Sequence, residues 1–209
     1  MEILKKISSV LAMIKFSHSV FALPFALVAA LYAHHGIPSW HLIGLIVAAM
    51  VTARSAAMAF NRWIDADIDA QNPRTQNRHI PTGLLSKHFV LGFCIVNALA
   101  FIGITYFINQ TALLLSVPTL AVLLGYSYTK RLGWYSHGVL GLALGLGPVG
   151  AWIAVTGEVI SPALWLCIAV TCWVAGFDII YSCQDYEFDR KSPALHSIPK
   201  KFGVPNALL

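Results

Sequence analysis

The stretch His41-Leu42-Ile43-Gly44-Leu45-Ile46-Val47-Ala48-Ala49-Met50-Val51-Thr52-Ala53-Arg54-Ser55-Ala56-Ala57-Met58-Ala59-Phe60 runs straight into Asn61-Arg62-Trp63-Ile64-Asp65-Ala66-Asp67-Ile68-Asp69. The first part is apolar almost throughout, with Arg54 its one fixed charge. About 20 such residues are what a helix needs to cross a hydrocarbon core. Inside a bilayer only a helix or a closed barrel satisfies the backbone. The run is continuous rather than alternating, so it predicts a helix. The second part sets three carboxylates directly beyond the end of that span.

Five more runs of the same kind flank it: Phe16–Tyr32, Phe89–Phe107, Ala112–Tyr128, Gly138–Val155 and Ala163–Ser182. The 209 residues are 57% apolar and 11% charged, with a mean hydropathy of +0.70. A soluble domain carries about a quarter charged residues. The expected fold class is therefore all-α, a multi-pass transmembrane helical bundle forming one domain over 1–209. The first run, preceded by Lys5, Lys6 and Lys15, has the look of a signal peptide. No small-residue cleavage site follows it before the next run, which predicts a retained helix.

The basic residues set the orientation. Thirteen of the 14 Lys and Arg fall on alternate loops, around Lys15, Arg74, Lys130 and Lys200, and only Arg54 lies inside a run. The amino terminus and the long polar loops are thus expected on the cytoplasmic side of an inner membrane. Attraction to anionic lipid accounts for the net charge of +5, so no nucleic-acid partner is implied. Cys94, Cys167, Cys172 and Cys183 show no metal-ligand spacing and read as small core residues.

Seven of the nine acidic residues occupy two short stretches: Asp65, Asp67 and Asp69, then Asp178, Asp185, Glu187 and Asp189. A carboxylate at mid-bilayer costs about 2.5–3.5 kcal/mol on insertion scales, so such residues are functional candidates. Asn61, Asp65 and Asp69 stand at i, i+4 and i+8, one helix face if the helix continues past the membrane. Arg54 falls on nearly the same face two turns deeper. Asp178, Tyr181, Asp185 and Asp189 repeat the arrangement at the end of the sixth run. Asp67 and Glu187 point off these faces and read as solvated. Two facing carboxylate stripes repel unless cations lie between them. Hard oxygen ligands with open positions suit Mg²⁺, which takes one or two carboxylates plus substrate phosphate oxygens. Two such ions can clamp a leaving pyrophosphate. Arg74 and Arg78 on the intervening loop offer bidentate contacts to a diphosphate. Lys130 and Arg131, after the fourth run, add a second basic pair.

These residues resemble the UbiA-type family of intramembrane aromatic prenyltransferases. Asn61…Asp65…Asp69 is similar to its first acidic motif, Asn-Asp-x-x-Asp-x-x-x-Asp, with Arg62 in place of the first Asp. Arg74…Asn77-Arg78…Ile80-Pro81-Thr82-Gly83 resembles the loop that follows. Tyr126…Lys130-Arg131 resembles the Tyr-x-x-x-Lys-Arg/Asp element, and Tyr181…Asp185…Asp189 the second acidic motif. Arg54 matches an Arg common before the first motif. The opening Phe16-Ser17-His18-Ser19-Val20-Phe21-Ala22-Leu23-Pro24-Phe25 looks closest to 4-hydroxybenzoate polyprenyltransferases and their menaquinone-pathway relatives.

The resemblance implies a polyprenyl diphosphate held through Mg²⁺ by Asn61, Asp65, Asp69, Asp185 and Asp189. It implies Arg54, Arg74, Arg78, Tyr126, Lys130, Arg131, Asp178 and Tyr181 as substrate-binding residues, and an aromatic acid as acceptor. It also implies about nine helices, so a chain with six, ending in Pro205-Asn206-Ala207-Leu208-Leu209, is expected to be incomplete at its carboxyl end.

Two other readings compete. A transporter would set ionisable groups near mid-membrane on interrupted helices, whereas here they cluster at one end. A CDP-alcohol phosphotransferase would carry one continuous acidic signature with Asp-Gly, and no Asp-Gly occurs. His18, His79 and His196 read as structural rather than as acid/base groups, while Gly141, Gly145, Gly147 and Gly150 suggest close helix packing.

Overall fold

Every secondary-structure element among the described residues is a helix. The structure is a computed structural model describing residues 2–209, with side chains described outside 2–6 and 16–22. The side chains of 16–22, including His18 and most of the opening motif, therefore lie outside the described residues. In chain order the elements are α1 (Glu2–Met13), α2 (Phe16–His34), α3 (Trp40–Ile64), α4 (Ala66–Gln71) and α5 (Lys87–Ile108). There follow α6 (Gln110–Leu132), α7 (Ser136–Thr156), α8 (Ser161–Ser182) and a 3₁₀ turn at Cys183–Asp185. Three short helices end the chain: α9 (Tyr186–Lys191), α10 (Ile198–Phe202) and α11 (Val204–Ala207).

All six predicted runs are helical. Among the described residues five helices are long and apolar enough to cross a membrane, and the described part of α2, Leu23–His34, is a shorter apolar helix. Side-chain caps fix where the spans begin. Ser39 accepts from the Leu42 amide at 3.2 Å, Ser86 from Phe89 at 3.2 Å and Asn109 from Ala112 at 2.8 Å. Each oxygen satisfies an amide that the first helical turn would leave orphaned. α1 was not expected, because Lys5, Lys6, Ser8 and Ser9 break any apolar run there.

The outer faces are apolar, with Val96 and Leu99 of α5, Leu114 and Val117 of α6, and Trp165 and Ile168 of α8 all exposed. Lipid rather than water is the solvent such a surface fits. Cys94 and Cys167 are buried as the core reading expects, but Cys172 is exposed on α8 and corrects it. The interior is built from small residues. Ala53, Ala56, Ala57 and Ala59 of α3 are buried, and α7 meets α8 through two glycines. A Cβ on Gly141 would collide with the Thr171 carbonyl, and one on Gly145 would lie 2.7 Å from the Cys167 carbonyl. Gly147 and Gly150 differ: a Cβ on Gly150 meets nothing within 4 Å. Only half of the glycine set is thus packing, which corrects the sequence reading.

The helices run alternately up and down. The carboxyl ends of α3, α6 and α8 consequently gather at one end of the bundle with the loop 72–86. Lys130 Nζ stands 2.6 Å from Asp65 Oδ2 and Asn72 Nδ2 3.0 Å from Asp185 Oδ1.

Candidate active site

Both acidic motifs sit where a long helix breaks. α3 stops at Ile64, Asp65 takes φ −91° and ψ 0°, and α4 resumes at Ala66. α8 stops at Ser182, the 3₁₀ turn ends on Asp185 at φ −99° and ψ 3°, and α9 resumes at Tyr186. The uninterrupted helices expected from spacing are corrected to two broken ones. At the first break the ladder persists, with the Asp65 amide on the Asn61 carbonyl at 3.1 Å and the Asp69 amide on the Asp65 carbonyl at 2.8 Å. Asn61, Asp65 and Asp69 therefore keep a common face.

Asp65 is 1% exposed and accepts from Lys130 Nζ at 2.6 Å, Asn61 Nδ2 at 2.9 Å and Arg131 Nη2 at 3.2 Å. Asp69, also buried, takes Arg78 Nη1 on both oxygens, at 2.6 and 2.7 Å. On the other helix Asp185 accepts Arg74 Nε at 2.8 Å, a second bond from Arg74 Nη2, and Asn72 Nδ2. Those bonds hold the Arg74 guanidinium above its ordinary pKa. Arg74 also reaches the Tyr181 hydroxyl at 3.1 Å and lies 5.2 Å from that ring's centroid. Asp189 accepts from Ser197 Oγ at 3.0 Å. Charge-assisted contacts of this kind are short and directional. They align the loop 72–86 and the segment 195–200 against the helix ends.

All these groups except Arg131 line one cavity of about 730 Å³. Its polar end carries the four motif aspartates with Asn61, Arg74, Arg78, Tyr126, Lys130 and Tyr181, and Arg54 and Asp178 line it about two turns further in. Away from that end the lining turns apolar through Met50, Phe101, Ile108 and Leu115. On α3 the wall extends from Asp65 to Ile46, about 28 Å at the helical rise. Of the predicted site residues only Arg131 is not part of the lining: it supports Asp65 from behind and donates to the Ile64 carbonyl at 2.7 Å. Asp67 is largely exposed and pairs with Lys87, and Glu187 is exposed, so neither joins the rim.

Four residues escaped the sequence reading. Asn72 and Ser197 bond motif carboxylates, and His137 bonds Asp178 at 2.7 Å. Lys15 lines the mouth, placed there by a left-handed backbone at φ 48° between α1 and α2. None of the four carries a local spacing signal. Arg62, which stands where the resemblance expects an Asp, is 7% exposed and donates from Nε to the Met13 carbonyl at 3.4 Å. It ties α1 to α3.

Helices long and apolar enough to cross a membrane, packed around a cavity whose polar end carries paired aspartates on two broken helices, define a class of multi-pass membrane protein. The chain belongs to the UbiA prenyltransferase family, whose profile matches residues 22–209. It is 34% identical over 156 residues to a 4-hydroxybenzoate octaprenyltransferase of Paracidovorax citrulli, covering 75% of this chain and 53% of that protein. It is 32% identical over 168 residues to the mitochondrial 4-hydroxybenzoate polyprenyltransferase of Arabidopsis thaliana, covering 80% and 41%. The chain spans about half the length of the curated relatives it matches. Its fold is similar to the apo structure of a UbiA homologue from Aeropyrum pernix K1, with a TM-score of 0.84 and 38% identity over 91% of this chain and 72% of that one. A homologue from Archaeoglobus fulgidus, solved bound to DMAPP and Mg²⁺, matches with a TM-score of 0.74 at 21% identity over 95% and 71%.

Proposed function

We propose that this chain carries the site of a Mg²⁺-dependent polyprenyltransferase. It would move a polyprenyl group from its diphosphate to an aromatic acid, 4-hydroxybenzoate-like or dihydroxynaphthoate-like, in ubiquinone or menaquinone biosynthesis. The site would face the cytoplasm from the inner membrane, as the distribution of basic residues argues. The observation that carries this reading is a cavity with an aspartate-and-arginine rim above an apolar wall. A diphosphate headgroup on a long isoprenoid tail has that polarity. The names of the bacterial and plant relatives support the acceptor, and the DMAPP and Mg²⁺ bound to the Archaeoglobus homologue support the donor and the ion.

The donor set fits Mg²⁺. Among the described residues no three acidic, histidine or cysteine side chains converge on one point. Mg²⁺ needs no such cage, since one or two carboxylates plus phosphate oxygens suffice. Asn61, Asp65 and Asp69 on one side and Asp185 and Asp189 on the other would hold it. Bound there, the ion would supply Lewis-acid stabilisation of the departing pyrophosphate oxygen.

The chain's own residues do the rest. Arg74, Arg78 and Lys130 stand on the rim to bind phosphate oxygens and neutralise charge as the C–O bond breaks and pyrophosphate leaves with the electron pair. The apolar wall keeps water from the allylic cation while a ring carbon forms the new C–C bond and the ring loses its proton. Arg54 lines the cavity two turns inside Asn61, and its buried Nε has no hydrogen-bond partner among the described residues. A buried unsatisfied guanidinium N–H is costly, and an acceptor carboxylate would satisfy it.

The test is a membrane assay of this chain with Mg²⁺, polyprenyl diphosphate and each aromatic acid in turn, reading product mass. The expected product is the acid plus one polyprenyl group, formed only with Mg²⁺. Solute flux in proteoliposomes without any prenylated product would replace the enzyme by a transporter.

A further inference from the structure

His137, the second residue of α7, is 3% exposed and lies between three parts of the chain. Its Nδ1 stands 2.7 Å from Asp178 Oδ2 on α8, and its Nε2 stands 3.2 Å from the Ile198 amide nitrogen at the start of α10. A backbone N–H can only donate, so Nε2 must offer its lone pair. The ring proton then resides on Nδ1 and is donated to the carboxylate. A doubly protonated ring would set one N–H against another at Nε2. His137 is therefore a neutral ring locked in one tautomer, with its orientation fixed from both sides.

The two groups it joins matter to the cavity. Asp178 lines the cavity seven residues before Asp185, about 10 Å deeper along the helix. There the lining changes from the charged rim to Leu140, Leu144, Val174 and Phe177. Ile198 belongs to the segment over the polar end. Next to it, Ser197 holds Asp189, and the His196 amide donates to the Lys130 carbonyl at 2.7 Å. One imidazole thus connects a deep carboxylate to the segment that sets two rim residues.

We propose that His137 is a positioning residue: its Nδ1–H aims the Asp178 carboxylate at the reacting carbon end of the bound prenyl diphosphate, and its Nε2 clamps the 195–198 segment to the same point. The proposal rests on the prenyl-transfer reading of the site. On that reading the headgroup is held at the rim by Asp65, Asp69, Asp185 and Asp189, and the Asp178 carboxylate, about 10 Å further along α8, faces the carbon end of the same substrate. The imidazole's contribution is to keep that charge from rotating away. Loss of both contacts therefore lowers turnover through Asp178 and weakens diphosphate binding through Asp189 and Lys130, whereas loss of the Asp178 contact alone lowers turnover and leaves diphosphate affinity unchanged.

Three variants separate positioning from packing. His137→Phe keeps a ring of similar size with no donor or acceptor. His137→Asn places an amide N–H near Nδ1, and His137→Gln places an amide oxygen near Nε2. The expected result is a drop of about 10–100-fold in kcat for His137→Phe, the range found for partners that orient metal ligands, with a raised KM for prenyl diphosphate that returns to within twofold of wild type in His137→Gln, where the clamp is kept. His137→Asn recovers most of the turnover, while His137→Gln recovers the clamp alone. Two readouts need no turnover. ¹⁵N-histidine spectra of the detergent-solubilised chain should show an unprotonated Nε2, and hydrogen exchange at the Ile198 amide should accelerate in His137→Phe but not in His137→Gln. Equal losses in Phe and Asn variants, an unchanged kcat in His137→Phe, or a protonated Nε2 would each overturn the proposal. If wild-type chain neither binds prenyl diphosphate nor turns over, the reading of the site fails, and the aiming of Asp178 at prenyl carbon falls with it. The tautomer and the clamp are then decided by the spectra and the exchange rates.

Discussion

Asp65 and Asp185 share one backbone conformation, φ −91° and ψ 0° in the first, φ −99° and ψ 3° in the second, and each marks the point where a membrane helix gives way to a short one. This sparsely populated region recurs at active sites. Their surroundings differ. Asp65 is sealed among Lys130, Arg131 and Asn61, whereas Asp185 is part exposed under Arg74. Asp65→Ala and Asp185→Ala are both expected to abolish turnover while leaving membrane insertion intact. Only Asp65→Ala should also melt early. Stranding the partner of a buried ion pair costs about 3–5 kcal/mol, and the partial exposure of Lys130 and Arg131 puts this case at the low end. Thermal unfolding in detergent beside the activity assay checks both halves. An Asp185→Ala melting point as low as that of Asp65→Ala would contradict the distinction.

Arg78 contacts both Asp69 oxygens from one nitrogen, and Arg74 uses two nitrogens on Asp185. A lysine supplies the charge without the planar fork. Arg78→Lys and Arg74→Lys should each raise KM for polyprenyl diphosphate by about tenfold, the equivalent of one 1.4 kcal/mol step. The KM for the aromatic acid should stay constant. Full retention of diphosphate affinity in either lysine variant would remove that arginine from the headgroup site.

Much of this site was legible because its signals are periodic. Six apolar runs announced the bundle, and the i, i+4 spacing of Asp65/Asp69 and Asp185/Asp189 announced the faces. Contacts across sequence were not legible. His137 meets a carboxylate on the next helix and an amide beyond it, and no local pattern at Ser136-His137-Gly138 encodes either. Lys130 and Arg131 look equivalent as neighbours. Successive helical residues point about 100° apart, so Lys130 faces the cavity and Arg131 stands behind Asp65. The helix breaks at Asp65 and Asp185 also went unseen, since no proline or glycine marks them.

The glycines of α7 sort by register. Gly141 and Gly145 lie four apart on the face that meets α8, where any side chain strikes backbone. Gly150 faces open space. Gly141→Ala and Gly145→Ala should therefore destabilise the bundle by about 1–3 kcal/mol, the usual cost of overpacking. Gly150→Ala should be neutral or gain slightly through helix propensity. Parallel melting curves test the contrast. An innocuous Gly145→Ala would mean that α8 can move aside.

Arg54 offers the sharpest test of how the two substrates divide the cavity. It lies seven residues inside Asn61, deeper than the rim where the headgroup would sit, and it lines the cavity with an Nε that has no hydrogen-bond partner among the described residues. If its partner is the acceptor carboxylate, Arg54→Ala raises KM for the aromatic acid and leaves KM for polyprenyl diphosphate within twofold. Removing one member of a buried charged pair costs about 2–5 kcal/mol, so the increase should be thirtyfold or more. Arg54→Lys should recover little of it, because the ammonium cannot reproduce the planar two-point contact. Steady-state kinetics with each substrate varied separately decides the matter. Parallel rises in both KM values would assign Arg54 to the diphosphate instead and leave the acceptor to be held by another part of the cavity.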